Sequence, residues 1–299
     1  LQVHNNLYYE RHKTIQLPIT KNNHHKNEWF IKNKNITDSI IYARNIQKTI
    51  FPSEKAFNQI LPESFIFFQP KDILSGDFYW VETLPLKIAG MKEESSNVEQ
   101  VLMAAVDCTG HGVPGALVSI VGNNLLNQAI YEHGFSKPSD ILRELNQGIY
   151  SVLNKGDSKK EILDGMDIAL VNYEIRSRNL QYAGANNPLY LIRNNELHII
   201  KPDRIGIGNY VNGVMPDFNN HEIQIHPGDI LYMFSDGFQD QFGGKNDKKF
   251  KIRRLRELFL SIHQDEMPVQ KQKIQEKFYS WKGTAEQVDD VLVMGVRFP

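Results

Sequence analysis

The sequence holds a single cysteine, Cys108, among 299 residues, which excludes an internal disulfide and any zinc site built on several thiolates. A lone thiol fits a reducing compartment, so a cytoplasmic setting is expected. No apolar run approaches the roughly 20 residues that a bilayer-spanning helix needs, and the first residues carry no secretory pattern. Charge of one sign is missing too. The 34 Lys and Arg offset the 35 Asp and Glu to a formal net charge of -1, so no global field draws in nucleic acid or anionic lipid, and a partner must be selected locally. HExxH, a cysteine cluster, a P-loop, internal repeats and low-complexity tracts are also absent, which sets aside zincins, zinc ribbons and P-loop nucleotidases. What is present is ordinary: 41% hydrophobic residues, enough for one large core or two modest ones. The chain begins at Leu1 rather than Met, and a piece of a longer protein is expected.

The pattern changes several times along the chain. Residues 1–35 are rich in Asn, Lys and His without a sustained period and read as a linker or irregular arm. Over 36–50, Ile36, Ile40, Ala43, Ile46 and Ile50 recur at helical spacing, and Pro52 supplies a stop. Gln47 interrupts that apolar stripe at near-heptad spacing. Two readings of this helix stay open: it pairs with a second copy and connects an upstream sensor to the rest of the chain, or it packs on its own domain. Short runs rich in Phe, Tyr, Val and Ile then predict strands at 64–69, 78–82 and 101–106. A helix is expected from about Val113 to Gly134, and another over 138–153 capped by Ser136 or Ser139. Further strands are expected at 168–173, 180–183, 189–192, 197–200, 222–225, 230–234 and 291–296, with helices over 252–262 and 269–281. Strands in blocks with helices in pairs point to an α+β layered fold and against a doubly wound parallel sheet.

The chemistry is carried by aspartates where predicted strands end and glycines begin: Gly76-Asp77, the run from Asp107 through Cys108 and Gly110 to Gly112, Ser235-Asp236-Gly237, and Asp289-Asp290. A carboxylate at a strand end has a rigid base, and a neighbouring glycine leaves room for a hydrated ion or a phosphate. Hard cations such as Mg²⁺ and Mn²⁺ take oxygen ligands and need only a few carboxylates. Taken singly, each segment reads equally as a turn or a helix cap. Taken together, they read as a ligand set.

From about Glu63 to Phe298 the chain resembles the PPM metal-dependent protein serine/threonine phosphatases, in their SpoIIE-like bacterial branch. The resemblance rests on the segments 75–80, 107–115, 164–167, 183–188, 235–237 and 288–290. It implies a four-layer αββα sandwich, two antiparallel sheets flanked by helix pairs, with an N-terminal helical extension. The arm and linker helix would then occupy 1–60 and the phosphatase domain 61–299. It further implies two Mn²⁺ or Mg²⁺ ions. Asp107 would bridge them, with the backbone carbonyl of Cys108 as a further ligand; Asp236 and Asp289 would hold one ion and Asp77 the other. Two cations about 4 Å apart would activate a hydroxide in line with the phosphorus of a phosphoserine or phosphothreonine, with no covalent intermediate. Cys108 then reads as a small turn residue rather than a nucleophile.

Other residues carry weaker expectations. His111 is the candidate general acid; the alternative is that it positions its loop or bonds a carboxylate. Asp164, Asp167 and Asp290 are candidates for an extra ion or for supporting the ligands from behind. Asn186 and Asn187 read as hairpin residues. The arginine that grips phosphate in eukaryotic members has no match ahead of Asp77, where the nearest basic residue is Lys71. The expected partner is a phosphoprotein, such as an anti-sigma-factor antagonist. No nucleic acid and no membrane segment are expected. Two other readings are a catalytically inactive scaffold of the same fold and a small-phosphoester hydrolase using the same metals.

Overall fold

Two five-stranded antiparallel sheets form the middle of the molecule in the computed structural model, which describes residues 29–85, 98–154, 164–210 and 214–299. The chain divides into two compact units, Leu1–Asn45 and Ile46–Pro299. Of the first, the described part is helical: α1 covers 29–50 and ends inside the second unit. It is already helical at 29, ahead of the expected 36, because Trp29 to Asn35 contain neither Gly nor Pro to stop it. The part of the expected polar arm before 29 lies outside the described residues.

In the second unit, α2 (Glu54–Ile60) leads into β1 (Ser64–Gln69), β2 (Phe78–Pro85) and β3 (Val98–Cys108). Helices α3 (Gly112–Tyr131) and α4 (Pro138–Leu153) follow, then β4 (Met166–Glu174), β5 (Asn179–Ala185), β6 (Leu189–Arg193), β7 (Glu196–Ile200), β8 (His221–Gln224) and β9 (Ile230–Phe234). The chain continues through α5 (Gly237–Asp240), the short pair β10 (Phe242–Gly243) and β11 (Lys248–Lys249), α6 (Ile252–Ile262), α7 (Met267–Lys282) and β12 (Val291–Arg297). One sheet runs β1-β12-β9-β6-β7 and the other β2-β3-β4-β5-β8.

Period-two alternation builds three layers of core from these strands. On β3, Val101, Met103 and Ala105 point between the sheets, where Leu292 and Met294 of β12 meet them from the other side. The intervening Leu102, Ala104 and Val106 point outward onto Leu126 of α3 and Ile141, Leu145 and Ile149 of α4. On the opposite outer face, Val291 and Val293 of β12 pack with Phe259 of α6 and Ile274 and Phe278 of α7. Strands buried on both faces read in sequence as continuous apolar runs, which is why they were legible. The result is the expected αββα sandwich.

Helix α2 was not expected. Ser53 caps it by accepting from Ala56 N–H, and its Phe57 is fully buried between the sheets. Truncating Phe57 to Ala would cost about 3–5 kcal/mol. Helix α4 is capped by Lys137 rather than by Ser136 or Ser139, without a side-chain hydrogen bond, and Pro138 opens it.

Candidate metal centre

Strand direction gathers five carboxylates at one end of the sandwich. In an antiparallel sheet the start of one strand lies beside the end of its neighbour. Asp77 immediately precedes β2, whose Phe78 pairs with Val106 of β3. Asp107, next to last on β3, lies directly opposite Asp167, the second residue of β4. Asp236 follows β9 and Asp289 precedes β12, two strands joined through the pair Val293 and Phe234. The seam between the sheets is crossed by the backbone N–H of Asp236, which donates to Oδ2 of Asp107 at 3.3 Å. The Ser235 side chain, from the end of β9, acts on the Asp77 carboxyl across the same seam and partly offsets the rise in its pKa.

Burial and mutual repulsion dominate the electrostatics. Asp77 is 2% exposed, and its Oδ2 has no hydrogen-bond partner. Burial, reinforced by the charges of Asp107, Asp290 and Asp289, pushes its carboxyl well above the usual range. Asp107 is raised likewise, first by burial and then by Asp236, Asp289 and Asp167. Asp236 is pushed up to about 6 by loss of solvent around its carboxyl and by Asp240, Asp289 and Asp167. Although Asp236 precedes α5, its side chain makes no cap hydrogen bond there, so capping does not account for its position. None of Asp77, Asp107, Asp236 and Asp289 forms an ion pair among the described residues. An orphaned buried oxygen within a ring of repelling carboxylates is an environment that a divalent cation relieves. Among the described residues no group of three His, Cys, Asp or Glu side chains is already placed to hold a metal ion; Mg²⁺ keeps several waters and needs only one or two carboxylates.

The loop carrying Asp77 is held from behind. Asp290, 1% exposed, accepts the backbone N–H of Lys71 through Oδ1 and of Gly76 through Oδ2, each at 2.7 Å. Both its oxygens are thus engaged by backbone, which makes Asp290 a support for the loop. At the same point three backbones touch: a Cβ on Gly76 would come within 2.5 Å of the Gly110 carbonyl oxygen, and one on Gly115 within 2.1 Å. The Cys108 carbonyl oxygen lies 3.4 Å from that Gly76 position, alongside the acid cluster. The Cys108 thiol is buried, and burial pushes it far from the thiolate form, so it is no nucleophile.

Beside the cluster opens a cleft of about 310 Å³, lined among others by Asp107, Asp167, Asn186, Asp236, Tyr190 and Arg256. Asn186, in a left-handed conformation at φ 55, donates from Nδ2 to Asp167 at 2.9 Å. Asp167 therefore joins the cluster. Asp164 does not line the cleft and lies by Gly208 through its backbone carbonyl. Sequence reasoning missed Arg256, the one cation among the described residues lining the cleft: its Nε donates to the Tyr190 hydroxyl at 2.8 Å, and its guanidinium lies 5.5 Å from that ring's centre. No sequence signal marks it, since it sits inside the ordinary amphipathic pattern of α6.

His111 is exposed and is not among the residues lining the cleft. Its Nδ1 is 2.6 Å from Asp72 Oδ2 and its Nε2 is 2.9 Å from Lys71 Nζ. An ammonium can only donate, so Nε2 accepts from Lys71 and the Nδ1 proton faces Asp72. The carboxylate His111 meets is thus Asp72, outside the acid cluster, and Lys71 is occupied by His111.

The family model described as Stage II sporulation protein E (SpoIIE) matches residues 97–299. Among solved structures, the SiaA-PP2C domain of Pseudomonas aeruginosa matches with a TM-score of 0.76 and 31% identity, covering 89% of this chain and 98% of that one. The PP2C phosphatase domain of SpoIIE from Bacillus subtilis, with a fragment of its regulatory domain, matches at 0.58 and 17% identity, covering 79% and 63%. The RsbU and RsbW domains of Rv1364c from Mycobacterium tuberculosis match at 0.57 and 16% identity, covering 80% and 62%. At such identities the last two show the fold alone. A search of curated proteins returns no significant match.

Proposed function

The chain belongs to the SpoIIE family of PP2C-type phosphatases and is homologous to the PPM serine/threonine phosphatases, and we propose that it removes phosphate from phosphoserine or phosphothreonine on a protein. Asp77, Asp107, Asp236, Asp289 and the backbone carbonyl of Cys108 would hold two Mn²⁺ or Mg²⁺ ions. Ions bound there supply an acidified water and neutralise charge on the phosphoryl oxygens. The observation that carries this reading is the buried Asp77 oxygen without a partner, enclosed by the charges of Asp107, Asp289 and Asp290.

The other groups have separable tasks. Asp290 fixes the Asp77 loop, and Asn186 orients Asp167 beside Asp107. Arg256, steadied by Tyr190, is the cation available in the cleft to the phosphoryl group, whereas Lys71 is engaged by His111. His111 would deliver a proton to the leaving oxygen, which requires Lys71 to turn away from Nε2. An inactive scaffold is disfavoured because every expected ligand position keeps its aspartate. A phosphorylated regulator of the anti-sigma-factor-antagonist kind is the favoured substrate class, and a cytoplasmic setting fits the lone buried thiol. No helix among the described residues is long and apolar enough to cross a membrane.

On α1, Trp29, Ile36 and Tyr42 are exposed, which with the near-heptad stripe favours pairing with a second copy. Sedimentation of the chain with and without residues 1–45 checks that pairing, and a monomer in both cases discards it. The function itself is tested by rates on a phosphoserine protein or peptide, nucleotides and p-nitrophenyl phosphate, with Mn²⁺ and with EDTA. Preference for nucleotides would favour a small-phosphoester hydrolase, and no Mn²⁺-dependent turnover on any of them would favour the scaffold.

A further inference from the structure

Gln47 breaks the apolar stripe of α1, and its side chain is almost wholly buried, at 5% exposure. A buried amide needs partners, and this one finds them on the loop that carries Asp77. Nε2 donates to the Ser75 carbonyl at 2.7 Å, and Oε1 accepts the Ser75 N–H at 3.3 Å. One side-chain amide therefore satisfies both backbone groups of a single buried residue, as a neighbouring strand would. Nε2 also reaches the Ser119 hydroxyl at 3.1 Å, which in turn donates to the Ala116 carbonyl within α3. One turn further along, Phe51 stacks on Phe78 with ring centres 5.2 Å apart and planes 6° from parallel. Contacts at Ser75 and Phe78 bracket Gly76 and Asp77 from both sides.

We propose that Gln47 is a positioning residue for the metal centre: its amide sets the backbone of Ser75 and so the place of the Asp77 carboxylate. The loop has two anchors. Asp290 holds its Lys71 and Gly76 N–H groups, and Gln47 holds Ser75 against α3, whose Gly115 packs under Gly76. The inference rests on the phosphatase reading only in taking Asp77 as a ligand. The anchoring of Ser75 is independent of it.

The test uses Gln47→Leu, which keeps the volume and loses the amide, and Gln47→Asn, which keeps the amide on an arm too short to reach. Mn²⁺ affinity measured by calorimetry should weaken about 10-fold or more in both, as when a group behind a metal ligand is removed. Activity on p-nitrophenyl phosphate should fall at limiting Mn²⁺ and recover at saturating Mn²⁺, with KM within about twofold of wild type. Hydrogen exchange at the Ser75 and Asp77 amides should accelerate by roughly tenfold or more. Folded variants with wild-type Mn²⁺ affinity and unchanged exchange at these amides overturn the proposal. If neither variant folds, the wild-type Ser75 amide decides: slow exchange supports the anchor and exchange at open-loop rates overturns it. A wild-type chain that neither binds Mn²⁺ nor turns over p-nitrophenyl phosphate fails the phosphatase reading instead, and the exchange data then judge the anchor alone.

Discussion

Asp107 and Asp236 belong to different sheets, yet the backbone N–H of Asp236 donates to the Asp107 carboxylate at 3.3 Å. That bond ties the end of β3 to the end of β9 at the one place where both strands deliver an acid. The centre is thus an interface between two sheets, and neither sheet contains it alone.

Replacing either acid by its amide removes ligand charge without removing volume. Asp107→Asn and Asp236→Asn should each lower Mn²⁺-dependent turnover by more than about 100-fold while leaving the fold intact. EDTA should do the same reversibly to the unmodified chain. Circular dichroism together with p-nitrophenyl phosphate assays decides the matter, and near-normal turnover by either variant would discard the ligand assignment.

Without metal, the acid cluster should make stability fall as pH rises. Asp236 goes from an ordinary value of 3.8 to about 6 in the folded chain, and Asp77 and Asp107 shift in the same direction. A carboxyl with a raised folded value binds more protons folded than unfolded, so its contribution is present below the unfolded value and is lost as pH climbs through the folded one. Melting of EDTA-treated protein should therefore fall from pH 4 toward pH 6 and beyond relative to Asp236→Asn, and the gain from added Mn²⁺ should be larger at pH 7 than at pH 5. A gain independent of pH would contradict this.

If His111 supplies the leaving-group proton, His111→Ala should slow phosphoserine hydrolysis by roughly 100-fold and spare p-nitrophenyl phosphate, whose leaving group needs no proton. Lys71→Met, which removes the donor 2.9 Å from Nε2, should leave phosphoserine turnover intact or raise it. Equal losses on both substrates in His111→Ala would leave His111 only the task of joining Lys71 to Asp72.

Arg256→Ala should raise KM for phosphopeptide and for p-nitrophenyl phosphate about 10-fold with little change in kcat, and should weaken inhibition by inorganic phosphate by a similar factor. Arg256→Lys should not restore binding, because an ammonium cannot hold the Tyr190 hydroxyl and a phosphoryl oxygen in one planar fork. A defect confined to the phosphopeptide would move Arg256 from the phosphoryl group to the polypeptide around it.

Local signals explain which parts were legible in the sequence. β3 and β12 read as strands because both faces are apolar, and the aspartates stood out because each sits beside a strand end, Asp77 and Asp236 next to a glycine and Asp107 three residues before one. Choosing between Asp164 and Asp167 required the register of β3 against β4, which places Asp167 opposite Asp107 and which no local pattern encodes. Helix α2 is seven residues long, too short for a period to emerge. Gln47 looked like a flaw in an apolar stripe because its partners lie 28 and 72 residues away.

The order β1-β12-β9 in the first sheet sets when the enzyme can exist during synthesis. β12 lies between the earliest strand and β9, so until residues 291–297 have left the ribosome β1 has no neighbour in that sheet and Asp289 has no fixed place. A nascent chain lacking this strand already carries Asp77, Asp107 and Asp236 but cannot close the seam on which they meet. Activity should therefore appear only once β12 has paired with both β1 and β9.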